Sequence, residues 1–578
     1  MSTSDEVLCI ATFPTLERRA VPSLQPKPIR KGAGSIVARN FTHGDEFIRI
    51  YQDEILQLTV RLASDAHDAR VVLSADLDGE WKEYDFQRIS DQEYSLSLEC
   101  NQPGTFRFKV KYTLNGGVTW FLDNIPHSAV MVDPSGARSV RLYTLIPTLS
   151  GPMSRWKREL RRIRQMGFNT VHLLPVTHMD QSESPYAACD LFEPDPSYAD
   201  PGDSRPPLDQ FESFVEEARN LGIKLCLDLV LNHVGATSRM STISPDWIAS
   251  DTNEKDGLKR AGCWHREHWI TWQDLVLIKY DHPNKNVRKD IWDYMVEYLL
   301  FWANYANHTG GMIRLDNLHS TDRNFLQFAV SRLRARYPNL TIFAEFFTDR
   351  QTAQRMAFYN SLTLLLSTPW IAPYAAQFRQ EISRLHTDTK LRYLLPVNSH
   401  DSGTPAQEYG TPETVIPRYA ACALFGTGQT GLVQGAEFGA PSKLPFIGRQ
   451  PALEMDSRTW GHDFSGAIRR INRLVERHDL FSDAGNIHFV DGDHGAILAA
   501  IRTSPEQHKT FLILISFDTH CSHELNLKLE GTPYHQYPCL LHCRVPANCV
   551  ANDIPETLGP ETVFTLDPCD VLVFEIDY

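Results

Sequence analysis

Between Leu142 and Val433 the chain alternates eight times between a short apolar run and a stretch whose apolar residues recur at helical spacing. The runs are Leu142 to Pro147, Thr170 to Pro175, Lys224 to Val230, Met312 to Leu315, Thr341 to Glu345, Leu362 to Leu366, Leu391 to Val397 and Gly431 to Val433. Among the intervening stretches, Trp156, Leu160 and Ile163 fall three and four apart, as do Leu208, Phe211, Val215 and Ala218, then Ile291, Met295, Leu299 and Trp302, then Leu326, Val330 and Leu333. That spacing marks one face of a helix. Apolar strands alternating with amphipathic helices imply a parallel sheet, and eight such units predict an α/β fold, a (β/α)8 or TIM barrel.

The texture differs on either side. From about Glu54 to Pro134 short alternating runs such as Leu56 to Leu62 and Thr105 to Tyr112 are separated by Asp-Gly, Pro-Gly and Asn-Gly-Gly turns, the pattern of an antiparallel β-sandwich. Residues 1–53 carry weak signals and are expected to wrap this module. Trp81, Trp120 and Phe121 read as core aromatics, with a sugar-stacking face as the alternative. Beyond about Ser482 the alternation returns in Ala496 to Ile501, Thr510 to Ile515, Leu525 to Leu529 and Val571 to Ile576, predicting a second sandwich. The expected domains are therefore 1–134, 135–482 and 483–578. An insertion of about residues 233–283 after the third strand holds Trp247, Trp264, Trp269 and Trp272; a connection that long is usually a lid or binding subdomain.

With 71 acidic against 57 basic residues and a formal charge of −14, neither nucleic acid nor an anionic membrane is an expected partner. A neutral substrate fits. No apolar run approaches a membrane span, and the first twenty residues lack the basic start and apolar stretch of a signal peptide, so a cytoplasmic location is expected. The eleven cysteines, an odd number without regular spacing, read as reduced thiols. Cys521, Cys539, Cys543, Cys549 and Cys569 crowd the last sixty or so residues, but not at zinc-site spacing, and are expected to be buried and structural. Nothing in the chain fixes an oligomeric state.

In such a barrel the chemistry sits at the C-terminal ends of the strands. There the sequence places Tyr186 after strand two, Asp228, Asn232 and His233 at strand three, Arg314 and Asp316 at four, Glu345 at five, and His400 and Asp401 after seven. Arg314 and Asp316, two apart on one strand, project to the same side. Taken alone the pair is either a structural ion pair or a nucleophile kept ionised by its neighbour. Three carboxylates ending three strands around one mouth favour chemistry, because strand ends in an apolar barrel are costly places for charge. Carboxylates flanking a bond are the apparatus of glycoside hydrolysis or transfer. Phosphoryl transfer would ask for a Gly-rich Lys loop, and a metal hydrolase for His-x-x-His or His-Glu-x-x-His clusters; neither is present.

Four ordered segments, Asp228-Leu229-Val230-Leu231-Asn232-His233, Gly311-Met312-Ile313-Arg314-Leu315-Asp316, Phe343-Ala344-Glu345 and His400-Asp401, resemble the motifs of the α-amylase family, glycoside hydrolase family 13. Gly167 to Thr170, Ser184-Pro185-Tyr186-Ala187, Trp272-Gln273-Asp274 and Gly435 to Gly439 support the likeness. The resemblance implies a retaining mechanism with Asp316 as nucleophile, Glu345 as general acid/base and Asp401 as transition-state stabiliser. It further implies that Arg314 holds Asp316 ionised, that Tyr186 stacks under the reacting sugar, and that His233 and His400 hydrogen-bond it. Asp228 and His319 join the substrate-binding residues by the same likeness. Asn232 matches a calcium ligand of secreted amylases, but without obvious further ligands a structural role is expected, and no metal or cofactor.

The run after the nucleophile, Asn317-Leu318-His319-Ser320-Thr321, departs from the amylase Lys-His and resembles the 4-α-glucanotransferase half of glycogen debranching enzymes. Less closely it resembles maltosyltransferases that use maltose 1-phosphate. Ser399 separates Asn398 from His400, so no role passes to Asn398. A glucosidase half would need several hundred further residues, so debranching is expected to require a partner enzyme. The expectation is a 4-α-glucanotransferase acting on α-1,4-glucan or maltooligosaccharides. The alternatives are an intracellular α-amylase-type hydrolase, a maltosyltransferase using maltose 1-phosphate, and a glucan-binding protein with an inactive barrel.

Overall fold

The computed structural model describes residues 23–24, 27–30, 47–62, 67–77, 80–122, 129–265, 268–490, 495–504, 509–528, 535–544, 555, 557–559 and 561–576. Eight parallel strands close into a barrel in chain order: β1 (Val140–Leu145), β2 (Thr170–Leu173), β3 (Lys224–Val230), β4 (Met312–Asp316), β5 (Thr341–Ala344), β6 (Leu364–Leu366), β7 (Tyr393–Pro396) and β8 (Gln429–Val433). Each strand is one of the apolar runs read from the sequence. The helices between and after them are α1 (Met153–Gln165), α2 (Pro207–Asn220), α3 (Lys285–His308), α4 (Arg323–Arg336), α5 (Arg350–Tyr359), α6 (Ala375–Thr387), α7 (Val415–Phe425) and α8 (Ser465–Arg477).

Side-chain alternation explains how one barrel holds both a core and a site. Leu142, Cys226, Met312, Phe343, Leu364 and Leu394 pack together inside the barrel. Two residues further along, on the same inward face, stand Thr144, Asp228, Arg314, Glu345, Leu366 and Pro396. The apolar layer thus supports a polar one above it. Outside the barrel, Trp156, Leu160 and Ile163 of α1 are fully buried against the strands, as their spacing requires.

Two connections carry structure of their own. After β2, Thr177–Met179 pairs antiparallel with Ala188–Pro194, a hairpin the sequence did not announce, and Tyr186 lies in its turn region. After β3, His233–Gly235, His268–Leu277 and Arg260–His265 form a three-stranded antiparallel sheet. The long insertion is therefore a small subdomain.

Before the barrel lie two sheets sharing one apolar core, in which Leu56, Leu58 and Val60 meet Val71, Leu73 and Val110. Ser23–Leu24 and Lys27–Arg30 pair with Glu54–Arg61, so these parts of the leading segment do join the module; residues 1–22 and 31–46 lie outside the described residues. Contrary to expectation, Trp81 and Trp120 are not core aromatics. They are 49% and 37% exposed, Trp120 lying beneath the Lys111 amine and the Arg70 guanidinium. Phe121 does pack against the core. After the barrel a five-stranded and a two-stranded sheet enclose another apolar cluster. There Cys543 and Cys569 are buried as expected, whereas Cys521, in the loop before the strand His523–Lys528, and Cys539, at the start of the strand Cys539–Cys543, are exposed, and Cys549 lies outside the described residues.

Buried arginines lock both flanks to the barrel. Arg49 pairs with Asp133 at 2.7 Å and donates to the carbonyl oxygens of Leu362, Thr363 and Lys390. Arg502 does the same from the C-terminal sheet, donating to the carbonyls of Leu424 and Gly426. Among the described residues no helix is long and apolar enough to cross a membrane.

Candidate active site

The polar layer converges on Arg314, buried within β4. Its Nη1 donates to Asp228 Oδ2 at 2.5 Å and Asp316 Oδ1 at 3.0 Å, and its Nη2 to Glu345 Oε2 at 2.7 Å. One guanidinium thus links carboxylates from three consecutive strands. Asp228 lies deepest, its side chain fully buried; those of Asp316 and Glu345 are 10% and 16% exposed. Asp228 Oδ2 also accepts the Tyr186 hydroxyl at 2.9 Å and lies 3.2 Å from His172 Nε2. Tyr186 continues the network to His400, whose Nε2 is 2.7 Å from the hydroxyl and 3.0 Å from Asp401 Oδ2. Eight side chains from three strands and from the loops after β2, β5 and β7 form one connected polar system.

The charges in it do not cancel. Burial pushes the Asp316 carboxyl well above the usual range; Arg314 pulls it down, but Glu345, Asp228 and Asp401 push it further up. The guanidinium expected from the sequence to hold Asp316 ionised is shared among three carboxylates, so Asp316 has only part of its pull. At Asp228 burial works upward too, yet Arg314 and His172 overcome it and its carboxyl lies below the usual range. Asp401 is lowered as well, against burial, by His400, Lys443 and Arg314. Burial pushes the His233 imidazole down to about 4, with a small upward pull from the Tyr186 backbone. That ring is buried on the insertion sheet, 6.2 Å from Trp272.

All nine residues singled out from the sequence stand in or around this mouth. His319 is at its lip, exposed, with its ring 6.4 Å from that of Phe347; burial lowers its imidazole and Glu345 opposes. The run Asn317 to Ser320 has a physical account. Asn317 adopts the left-handed conformation at φ 42°, which Asn tolerates better than most residues. This turns its backbone N–H to Glu345 Oε2 at 3.2 Å and allows Leu318 N–H to donate to the Glu345 carbonyl at 3.0 Å. Ser320 Oγ donates to Asn317 Oδ1 at 3.1 Å and braces the turn. Asn232 is buried, and among the described residues its side-chain atoms have no hydrogen-bond partner, whereas Asn398 Oδ1 accepts from Val433 N–H at 3.1 Å, holding the β7 end to β8.

Sequence reasoning missed two members. His172, inward on β2, bridges Asp228 and Thr144 Oγ1; an imidazole in an apolar strand was a readable signal. Lys443, from the loop after β8, places Nζ 3.5 Å from Asp401 Oδ1 and 3.1 Å from its carbonyl. No local pattern announces it. Its loop is strapped across the mouth by Arg449, which pairs with Glu183 at 2.7 Å and Asp195 at 3.3 Å, and Phe446 packs edge-on against Tyr186 and His400.

This fold, with carboxylates gathered at the strand ends, is that of the α-amylase-type barrels. The model of the glycogen debranching enzyme glucanotransferase domain matches residues 136–253. The α-1,4-glucan:maltose-1-phosphate maltosyltransferase of Rhodospirillum rubrum is 21% identical over 433 residues, covering 68% of this chain and 59% of that protein. The Mycobacterium tuberculosis protein of the same name is 25% identical over 422 residues, covering 64% and 54%. The chain thus spans somewhat over half the length of these curated relatives. Among solved structures, a Lactobacillus plantarum α-amylase superposes with a TM-score of 0.57 at 17% identity, over 76% of this chain and 99% of that one. The Nostoc punctiforme debranching enzyme gives 0.58 at 14% identity, over 77% and 99%. In motif, family model and fold the chain resembles the α-amylase family, glycoside hydrolase family 13.

Proposed function

We propose that the chain is a retaining α-glucan-active enzyme, and specifically a 4-α-glucanotransferase acting on α-1,4-glucan or maltooligosaccharides. The observation that carries this reading is the guanidinium of Arg314, shared between Asp316 and Glu345. Retention requires two carboxyls about 5 to 5.5 Å apart, and a single guanidinium bridging both keeps them in that neighbourhood. Asp316 attacks the anomeric carbon, Glu345 protonates the departing oxygen, and a glycosyl ester on Asp316 results. Glu345 then takes the proton of an acceptor sugar hydroxyl as that oxygen displaces Asp316.

This cycle needs one proton on the pair Asp316 and Glu345, with the other carboxyl ionised. Burial, with Glu345, Asp228 and Asp401 beside it, pushes the Asp316 carboxyl up against the pull of Arg314. A sugar bound against Glu345 draws that proton to the leaving oxygen and leaves Asp316 free to attack. Asp228 anchors Arg314 and Tyr186 from beneath, and Asp401, kept ionised by His400 and Lys443, faces the charge that develops on the sugar.

The turn at Asn317 to Thr321 supports transfer over hydrolysis through its resemblance to glucanotransferases. Incubation with maltopentaose alone is expected to give a ladder of shorter and longer chains. Accumulation of glucose and maltose instead would establish an α-amylase-type hydrolase. The names of the matched relatives favour a second reading, maltosyl transfer from maltose 1-phosphate. It requires phosphate release as an acceptor chain grows; no release with that donor removes it.

A further inference from the structure

The segment Ala440 to Met455, between β8 and α8, carries neither helix nor strand, and an irregular connection of that length in a compact domain is usually functional. It is nonetheless fixed. On its underside Leu444 and Phe446 pack against Val433 at the end of β8, Ile146 and Leu149 after β1, and Leu174 after β2. Thr148 Oγ1 donates to the Phe446 carbonyl at 3.0 Å, and Leu453 N–H to the Leu149 carbonyl at 2.8 Å. Besides the ion pairs of Arg449, Gly448 N–H donates to the Glu183 carbonyl at 2.9 Å and Arg449 N–H to Glu183 Oε2 at 3.0 Å. The strap therefore covers the sector of β8, β1 and β2. Glu345 follows β5, and in a closed ring of eight strands in chain order β5 stands opposite β1.

The leaving oxygen of a donor lies on the side of its acid, Glu345. In a 1,4-linked pyranose O1 and O4 project from opposite ends of the ring, so the O4 end of the reacting sugar, with any sugar joined to it, points toward the strap. We propose that the strap closes the donor side of the mouth, so that only one or two sugars from the non-reducing end of a chain are transferred. This rests on Asp316 and Glu345 acting as nucleophile and acid. The bond broken joins C1 of that short unit to the oxygen of the remaining chain, which departs with the Glu345 proton. The bond made joins the same C1 to an acceptor hydroxyl oxygen, whose proton returns to Glu345. The Phe446 ring stands edge-on to that of Tyr186 with centres 5.8 Å apart. With Tyr186 under the reacting sugar, little more than one further sugar stands between it and the strap. Phe446 is the inner stop and Arg449 the outer latch, and the selection they impose is by obstruction of longer units rather than by attraction of short ones.

The test is the size of the unit moved. Maltoheptaose alone, sampled early, is expected to give chains of six and eight sugars or of five and nine. Chains of four and ten sugars from the wild type overturn the proposal and leave the transferase reading standing. Glucose or maltose with no lengthened chain does the reverse, since the transferase reading then falls while the short donor side stands. Arg449→Ala, which releases the latch, and Phe446→Ala, which removes the stop, should add the four-sugar and ten-sugar chains, and a melting temperature without substrate verifies each variant's fold. Folded variants that keep the wild-type pattern overturn the assignment to the strap. A second measurement needs no acceptor. In Glu345→Gln, maltosyl fluoride should label the chain at least about tenfold faster than maltotriosyl fluoride, and equal rates overturn the proposal.

Discussion

Arg314 and Arg502 are both fully buried arginines, and they are satisfied in opposite ways. Arg502 donates to the carbonyls of Leu424, Gly426, Leu480 and Asp483 and to Asn486 Oδ1, at 2.6 to 3.1 Å, with no carboxylate among its hydrogen-bond partners in the described residues. Burial accordingly pushes its guanidinium down to about 9. Arg314 faces three carboxylates and a tyrosine; burial works downward there too, but Asp228 and its neighbours raise it well above its ordinary value. Carbonyl dipoles at fixed positions are sufficient to hold one arginine as a structural rivet. Gathering three carboxylates around the other creates repulsion that a rivet does not need, and a surplus of that kind, kept in a buried mouth, is the mark of chemistry.

The largest effect expected from this contrast is at Asp316. Replacing it with Asn should remove transfer by about 10⁴-fold or more while raising the melting temperature, because the repulsion that lifts the Asp316 carboxyl disappears. Maltopentaose turnover and a thermal melt read the two changes. A fall in both would place Asp316 in the structural class with Arg502. Next in size, Arg502→Met should cost about 3 to 5 kcal/mol by denaturant unfolding, since it leaves several carbonyls buried without donors. Turnover per folded molecule should not move.

Acid should separate the regions as well. Burial holds His233 near 4, and burial together with Arg502 holds His386 near 3. His386 uses its neutral form, with Nε2 2.7 Å from the Phe425 carbonyl and Nδ1 accepting from Gly485 N–H at 3.0 Å. Both folded values lie below the unfolded histidine value of about 6.5. The unfolded chain therefore takes up protons first, and stability is expected to fall as pH drops from about 6.5 toward 4 and below. A denaturation midpoint that is flat across that window would contradict the assignment. In Arg502→Met the slope should lessen, because one cause of the His386 shift is gone. The smallest effect belongs to Asn317. Asn317→Ala should cost about 1 kcal/mol for a left-handed backbone and lower kcat more than it raises KM, since Glu345 loses its N–H donor geometry.

Much of this was legible before any coordinates. Period-two alternation from Met312 to Asp316 and helical spacing in α1 to α4 locate the barrel, and a barrel dictates where its strand ends must meet. That places Asp316, Glu345 and Asp401 at strand ends around one mouth, whereas their roles were read from the resemblance to the α-amylase family. What was not legible depends on chain segments far apart in sequence. Lys443 reaches Asp401 because Arg449 ties its loop to Glu183 and Asp195, and no spacing near residue 443 encodes that. The sharing of Arg314 was not legible for a related reason. Two residues on one strand suggest a private ion pair, whereas Asp228 and Glu345 arrive from neighbouring strands and divide the same guanidinium. Trp81 and Trp120 were misjudged because alternation gives the face of a residue but not whether another layer covers that face.

The nucleophilic role of Asp316 is tested most directly by trapping. Glu345→Gln lacks the base that releases the glycosyl group, and a maltosyl fluoride donor needs no acid to depart. Intact-mass spectrometry of that variant should show the gain of one maltosyl unit, and peptide mapping should place it on Asp316. No adduct, or an adduct on another residue, would contradict a retaining mechanism centred on the Arg314 cluster.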